Sequence, residues 1–113
     1  MKEIKAVIRP NKLAALRDAL HAIPGFPGMT VSKAEGCTGT SRHVARTNIK
    51  DELTDYTPKV RIEIVTADDL AEAIFTCITE VAQTGHVGDG LVWITEVERA
   101  AFIFKTTAGG PSG

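Results

Sequence analysis

Apolar residues recur along this chain with two distinct periods. Every second position is apolar through Ile4, Ala6 and Ile8, and again through Val60, Ile62 and Ile64, where Lys59, Arg61 and Glu63 fill the alternate places. That alternation predicts half-buried strands over residues 2–9 and 57–65. Leu13, Leu16, Leu20 and Ile23 instead fall on one helical stripe, as do Leu70, Ile74, Cys77, Ile78 and Val81. Pro10 and Asn11 separate the first strand from the first helix, and Pro24-Gly25-Phe26-Pro27-Gly28 ends that helix. Thr30 and Val31 favour a strand over about 29–35. Residues 91–96 make a fourth strand, which 101–105 extend or follow with a short fifth. Thr66-Ala67-Asp68-Asp69 reads as a capping-box variant with acid in the first turn of the second helix. The order β-α-β-β-α-β predicts an α+β, ferredoxin-like fold: an antiparallel sheet with both helices on one face.

Two connections are unusual. Residues 37–56 place about twenty positions between the second and third strands, where a hairpin takes two to five. The segment is polar, mixed in charge and poor in core residues. Loops of this length in compact domains are functional or disordered, so a partner-recognition loop and a plain surface insertion are both open. The second is Thr84-Gly85-His86-Val87-Gly88-Asp89-Gly90, followed by Leu91. Its glycines allow a backbone whose N–H groups cradle phosphate oxygens. Leu91 stands where a phosphate site is expected to place a lysine or arginine.

Composition narrows the function classes. The 113 residues make one domain, 43% hydrophobic and 24% charged. A formal net charge of −1 argues against bulk binding to nucleic acid or anionic membranes. The apolar runs are far short of the roughly 20 residues a membrane span needs. Cys37 and Cys77 fit no zinc or redox spacing. Met1-Lys2-Glu3-Ile4-Lys5 reads directly into a strand, and the expected compartment is a reducing cytoplasm.

Several blocks in fixed order resemble the PII signalling proteins, the nitrogen-regulatory family. They are Met1 to Pro10, Lys12-Leu13, Gly28-Met29-Thr30-Val31, Glu35-Gly36, Asp55 to Val65, and Thr84 to Ile94 apart from Leu91. The resemblance covers nearly all of residues 1–105. It implies a ferredoxin-like domain over 1–106, a T-loop at about 37–56, a B-loop at 84–90, and a mobile tail at 107–113. It also implies a homotrimer with nucleotide sites in the clefts between subunits, and a T-loop that enters a regulated enzyme or membrane transporter. Transferred position by position, the nucleoside falls to Val7, Thr30, Gly36, Cys37, Thr38 and Val65. The phosphate-facing loop falls to Gly88, Asp89 and Gly90, and Lys59 keeps half of a magnesium and 2-oxoglutarate site.

The chain departs from the family in its charges. Leu91 replaces a basic residue, and Phe102 and Phe104 stand where two arginines reach the polyphosphate across the subunit boundary. Each charge-assisted hydrogen bond lost is worth roughly 1.5–3 kcal/mol. An adenine nucleotide with fewer phosphates, ADP or AMP rather than ATP, is the expected ligand. Lys105, Lys59 and Arg9 are the cations that could compensate. Thr40 replaces the family's glutamine, and Glu52 replaces the tyrosine that some members have nucleotidylated, so uridylylation is not expected. A cleft filled by Leu91, Phe102 and Phe104, with no nucleotide bound, remains the opposing outcome.

A metal site is the alternative function. Cys37, His43 and His86 offer soft N and S ligands suited to copper or zinc sensing or to efflux regulation, at no recognised zinc spacing. An enzyme is not expected, since no Ser-His-Asp, Cys-His or paired-carboxylate arrangement stands out. Cys77 falls on the apolar stripe of the second helix and reads as a core residue. Trp93 reads as core or trimer interface, and Val92, Ile94, Phe102 and Phe104 are expected on an exposed sheet face that asks for burial.

Overall fold

The structure, a computed structural model, describes residues 1–37 and 56–104. Strand β1 (Lys2–Ile8) leads through a short 3-10 turn (Pro10–Lys12) into helix α1 (Leu13–His21). Strand β2 (Thr30–Gly36), strand β3 (Thr57–Thr66), helix α2 (Asp68–Ala82) and strand β4 (Gly90–Glu96) follow. The sheet order is β2-β3-β1-β4, and every neighbouring pair is antiparallel. This is the predicted ferredoxin-like arrangement. The T-loop beyond Cys37 and the tail lie outside the described residues.

The two periods account for the core. Ile4, Ala6 and Ile8 of β1 meet Val60, Ile62 and Ile64 of β3 in register, and all six are buried under the helices. Leu16 and Leu20 of α1 and Ile74 and Ile78 of α2 close the other side, each at most 1% exposed. Full burial of each such side chain is worth roughly 1.5–3 kcal/mol. The alternate residues of the strands form the open face: Glu3, Lys5 and Val7 on β1, Lys59, Arg61, Glu63 and Val65 on β3, and Leu91 and Trp93 on β4.

Three expectations are corrected here. Val92 and Ile94 pack against the core from the helix side, whereas Leu91 and Trp93 are the exposed apolar residues of β4. Register decides this, because Val92 lies opposite Ala6 and Ile94 opposite Ile4. Residues 101–104 form no strand. The Val97 N–H still bonds the Met1 carbonyl at 3.0 Å, but Ile103 is fully exposed and Phe104 is 74% exposed. The apolar alternation there has no neighbouring strand to pair with. Thr66 does not cap α2. It ends β3 with its hydroxyl buried and unpaired, and the cap position is Ala67, which offers no side-chain bond. Asp68 instead takes the chain's N-terminal ammonium at 3.0 Å, which holds its carboxyl below the usual range.

Candidate functional site

The B-loop lies between the end of α2 and β4, and a single carboxylate organises it. Asp89 accepts bonds from the Thr84 hydroxyl (2.5 Å), the Thr84 N–H (2.6 Å) and the Gly85 N–H (3.0 Å). It also receives Arg9 Nε at 2.9 Å. The Thr84 bonds, with help from Arg9 and Gly85, hold the Asp89 carboxyl well below the usual carboxylate range. Arg9 sits just past β1, and its Nη2 also donates to the Val87 carbonyl at 2.9 Å.

Two glycines carry the loop's shape. Gly90 has φ +104°, and a Cβ there would stand 1.7 Å from the Val7 carbonyl oxygen, so only glycine lets β4 join β1 at this point. Gly88 has φ +98°, and a Cβ there would meet Arg9 Nη2 at 3.3 Å. Val87 and Gly88 form a turn that Asp89 closes, and among the described residues the N–H groups of Val87 and Gly88 have no hydrogen-bond partner. Two successive unpaired donors in a glycine-rich turn are a backbone arrangement suited to an anion.

Lys59 supplies charge beside that loop. Its side chain comes from β3, is only 8% exposed, and donates from Nζ to the Gly88 carbonyl. Among the described residues, the Gly88 oxygen is its one acceptor, leaving donor capacity for a bound anion. Arg61, half exposed and 3.6 Å from Glu63, lines the same wall.

Together these residues bound a cleft of about 710 Å³. Of the residues singled out from the sequence, it gathers Val7, Gly36, Cys37, Lys59, Gly88, Asp89 and Gly90. Thr30 and Val65 are not with them. They line a second cleft of about 400 Å³, with Glu3, Glu63 and Phe102. The register puts that cleft four residues down β1 from Val7, roughly 13 Å away at strand spacing. Thr38, Thr40, His43 and Lys105 lie outside the described residues.

Sequence reading missed Arg61 as a site residue and missed the fixing role of Arg9. The signal for Arg61 was present in the alternation, since Lys59 and Arg61 share a strand face and Arg61 pairs with Val7. Arg9 is occupied by Asp89 and Val87, so it serves the loop rather than standing as a spare cation. Cys37 and His86 line the first cleft, but no group of three His, Cys, Asp or Glu residues is placed to hold a metal among the described residues. Cys77 packs against the core from α2, and burial pushes its thiol up.

The comparisons with known proteins agree with this architecture. A family model described as nitrogen regulatory protein P-II matches residues 1–106. The nitrogen regulatory protein P-II of Azospirillum brasilense is 37% identical over 110 residues, 97% of each chain. That of Bradyrhizobium diazoefficiens is 39% identical over 109 residues, 96% of each chain. That of Haemophilus influenzae is 38% identical over 100 residues, 88% of each chain. With a family model over nearly its whole length and relatives of matching extent, this chain belongs to the nitrogen regulatory protein P-II family.

Proposed function

We propose that this protein is a regulator that senses an adenine nucleotide, ADP or AMP in preference to ATP, and reports it through the T-loop to a partner enzyme or transporter. The observation that carries this reading is the pairing of two unpaired backbone donors, at Val87 and Gly88, with a nearly buried lysine at the root of the T-loop. Such a wall favours one or two phosphate groups, because fixed N–H groups and a desolvated cation act together in low dielectric.

The nucleoside end of the ligand needs the second cleft, which holds Thr30 and Val65. A homotrimer in which the first cleft of one subunit faces the second cleft of its neighbour unites the two halves. A head-to-tail ring joins unlike surfaces in this way. The low phosphate preference follows from Leu91, an exposed leucine on the cleft wall, and from Phe102, which gives the second cleft an aromatic ring in place of a cation. The signal is output by the chain that begins at Cys37, on the cleft wall itself. Ligand contact there biases the loop's conformations without turning the nucleotide over.

Isothermal titration with ATP, ADP and AMP tests the reading, beside sedimentation for the oligomeric state. Micromolar binding of ADP or AMP, tighter than ATP, is the expected result. Absence of heat with all three nucleotides, with and without magnesium, overturns it.

A further inference from the structure

We infer that Arg9 is a positioning residue for the phosphate end of the cleft, acting through Asp89 to keep the B-loop in its anion-binding form; this rests on the nucleotide-sensing reading above. Three observations converge. The Arg9 guanidinium bridges two points of the loop, the Asp89 carboxylate (2.9 Å) and the Val87 carbonyl (2.9 Å). Asp89 then takes up the Thr84 and Gly85 N–H groups, which turns those donors away from any ligand. The N–H groups of Val87 and Gly88 are left without partners among the described residues, and both residues line the cleft. A single ion pair thus decides which backbone donors are spent inside the loop and which stay available.

The geometry also explains why arginine serves here. A planar guanidinium reaches a carboxylate and a carbonyl at once from fixed directions, whereas an ammonium is a point donor on a flexible stem. Arg9 is anchored at the base of β1, directly after Ile8, which is 2% exposed. The loop is therefore tied to the end of a strand whose inward side chains lie in the core. Lys59 meets the same loop from β3 through Gly88 O. Gly88 is held between the two cations, with Arg9 Nη2 and Lys59 Nζ at 3.3 Å and 3.8 Å from its missing Cβ position.

The test uses Arg9→Gln, Arg9→Lys and Asp89→Asn in the full chain, with two readouts. The first is amide hydrogen exchange across 84–90 in the absence of ligand. The second is the calorimetric affinity for ADP against that for adenosine. A positioning role predicts that Arg9→Gln speeds exchange at Thr84 and Gly85 at least tenfold. It also predicts that ADP binding weakens about tenfold while adenosine binding changes less than twofold. Arg9→Lys should recover part of both effects, and Asp89→Asn should reproduce them. Equal weakening of ADP and adenosine overturns the proposal, as does unchanged loop exchange in Arg9→Gln. A wild-type protein that binds no adenine nucleotide defeats the nucleotide-sensing reading instead, and the exchange measurement still decides the clamp.

Discussion

The two ends of the open sheet face have the same scaffold and opposite character. At one end Arg9 and Lys59 hold a glycine-rich loop, and Arg61 lines the cleft beside it. At the other, Glu3 and Glu63 flank Thr30, Val65 and Phe102. The first end is completed by the chain's own backbone, because the turn at Gly88 to Gly90 is pinned from β1 and β3 at once. The second is a shallow strand surface bordered by a segment that leaves the sheet after Val97. The contrast separates two tasks. Holding an anion needs rigid local geometry, and one chain supplies it. Enclosing the rest of a ligand needs a second wall, and in the proposed ring the acidic second end of one copy would face the basic first end of the next.

The comparison breaks most violently at Gly90. Gly90→Ala forces a Cβ to within 1.7 Å of the Val7 carbonyl and demands φ +104° of an alanine. The β1–β4 ladder must open there, at a cost of roughly 3 kcal/mol or more. Thermal unfolding should show Tm lower by about 10 °C or more. An unchanged Tm would mean that β4 does not join the sheet as described.

Lys59 sharpens the contrast without touching the fold. The residue is nearly buried with no carboxylate partner among the described residues, so replacing it with a similar apolar volume leaves stability level or raises it. Lys59→Met should keep or increase Tm while weakening ADP binding about 10- to 100-fold, the worth of one charge-assisted bond. A loss of stability together with unchanged affinity would assign Lys59 to the core alone.

Much of the fold was legible because the period of two and the helical stripes persist over whole elements. Ile4, Ala6 and Ile8 already fixed which face of β1 is buried. The misplaced residues lie where register, not local pattern, decides. Val92 and Ile94 read as plausible exposed apolar residues until β4 is set against β1. Residues 101–104 look strand-like because Phe102 and Phe104 alternate, yet a strand exists only where another chain segment offers its hydrogen bonds. For the site, the glycine loop was visible in sequence and its charge was not. The loop's own cation is missing at Leu91, and the cations on the cleft wall, Lys59 and Arg61, come from β3, distant from the loop in sequence and brought beside it only by strand pairing. The separation of Thr30 and Val65 from the other site residues was likewise invisible, since a motif carries no distance.

Leu91 offers a gain rather than a loss. It is 60% exposed on the cleft wall, so Leu91→Lys adds a cation at little structural cost. One extra charge-assisted bond to the terminal phosphate should tighten ATP binding about tenfold relative to AMP. Calorimetry of the variant with both nucleotides measures that ratio. A ratio identical to the wild type would mean that position 91 does not face phosphate.

The smallest effect tests whether the two ends meet. Take one chain carrying Lys59→Met, which spoils the first cleft, and another carrying Thr30→Tyr, which crowds the second while leaving the exposed strand position foldable. Each homotrimer alone should bind ADP weakly. In a mixed ring of three, one junction always pairs an intact first cleft with an intact second cleft, because the surfaces join head to tail. Mixed assemblies should therefore regain about one wild-type site per trimer, read as a high-affinity component of reduced stoichiometry. If both halves of the site acted within a single chain, mixing would restore nothing, since every chain would carry one damaged half. Recovery of binding on mixing is thus a property that only a site built between copies can have.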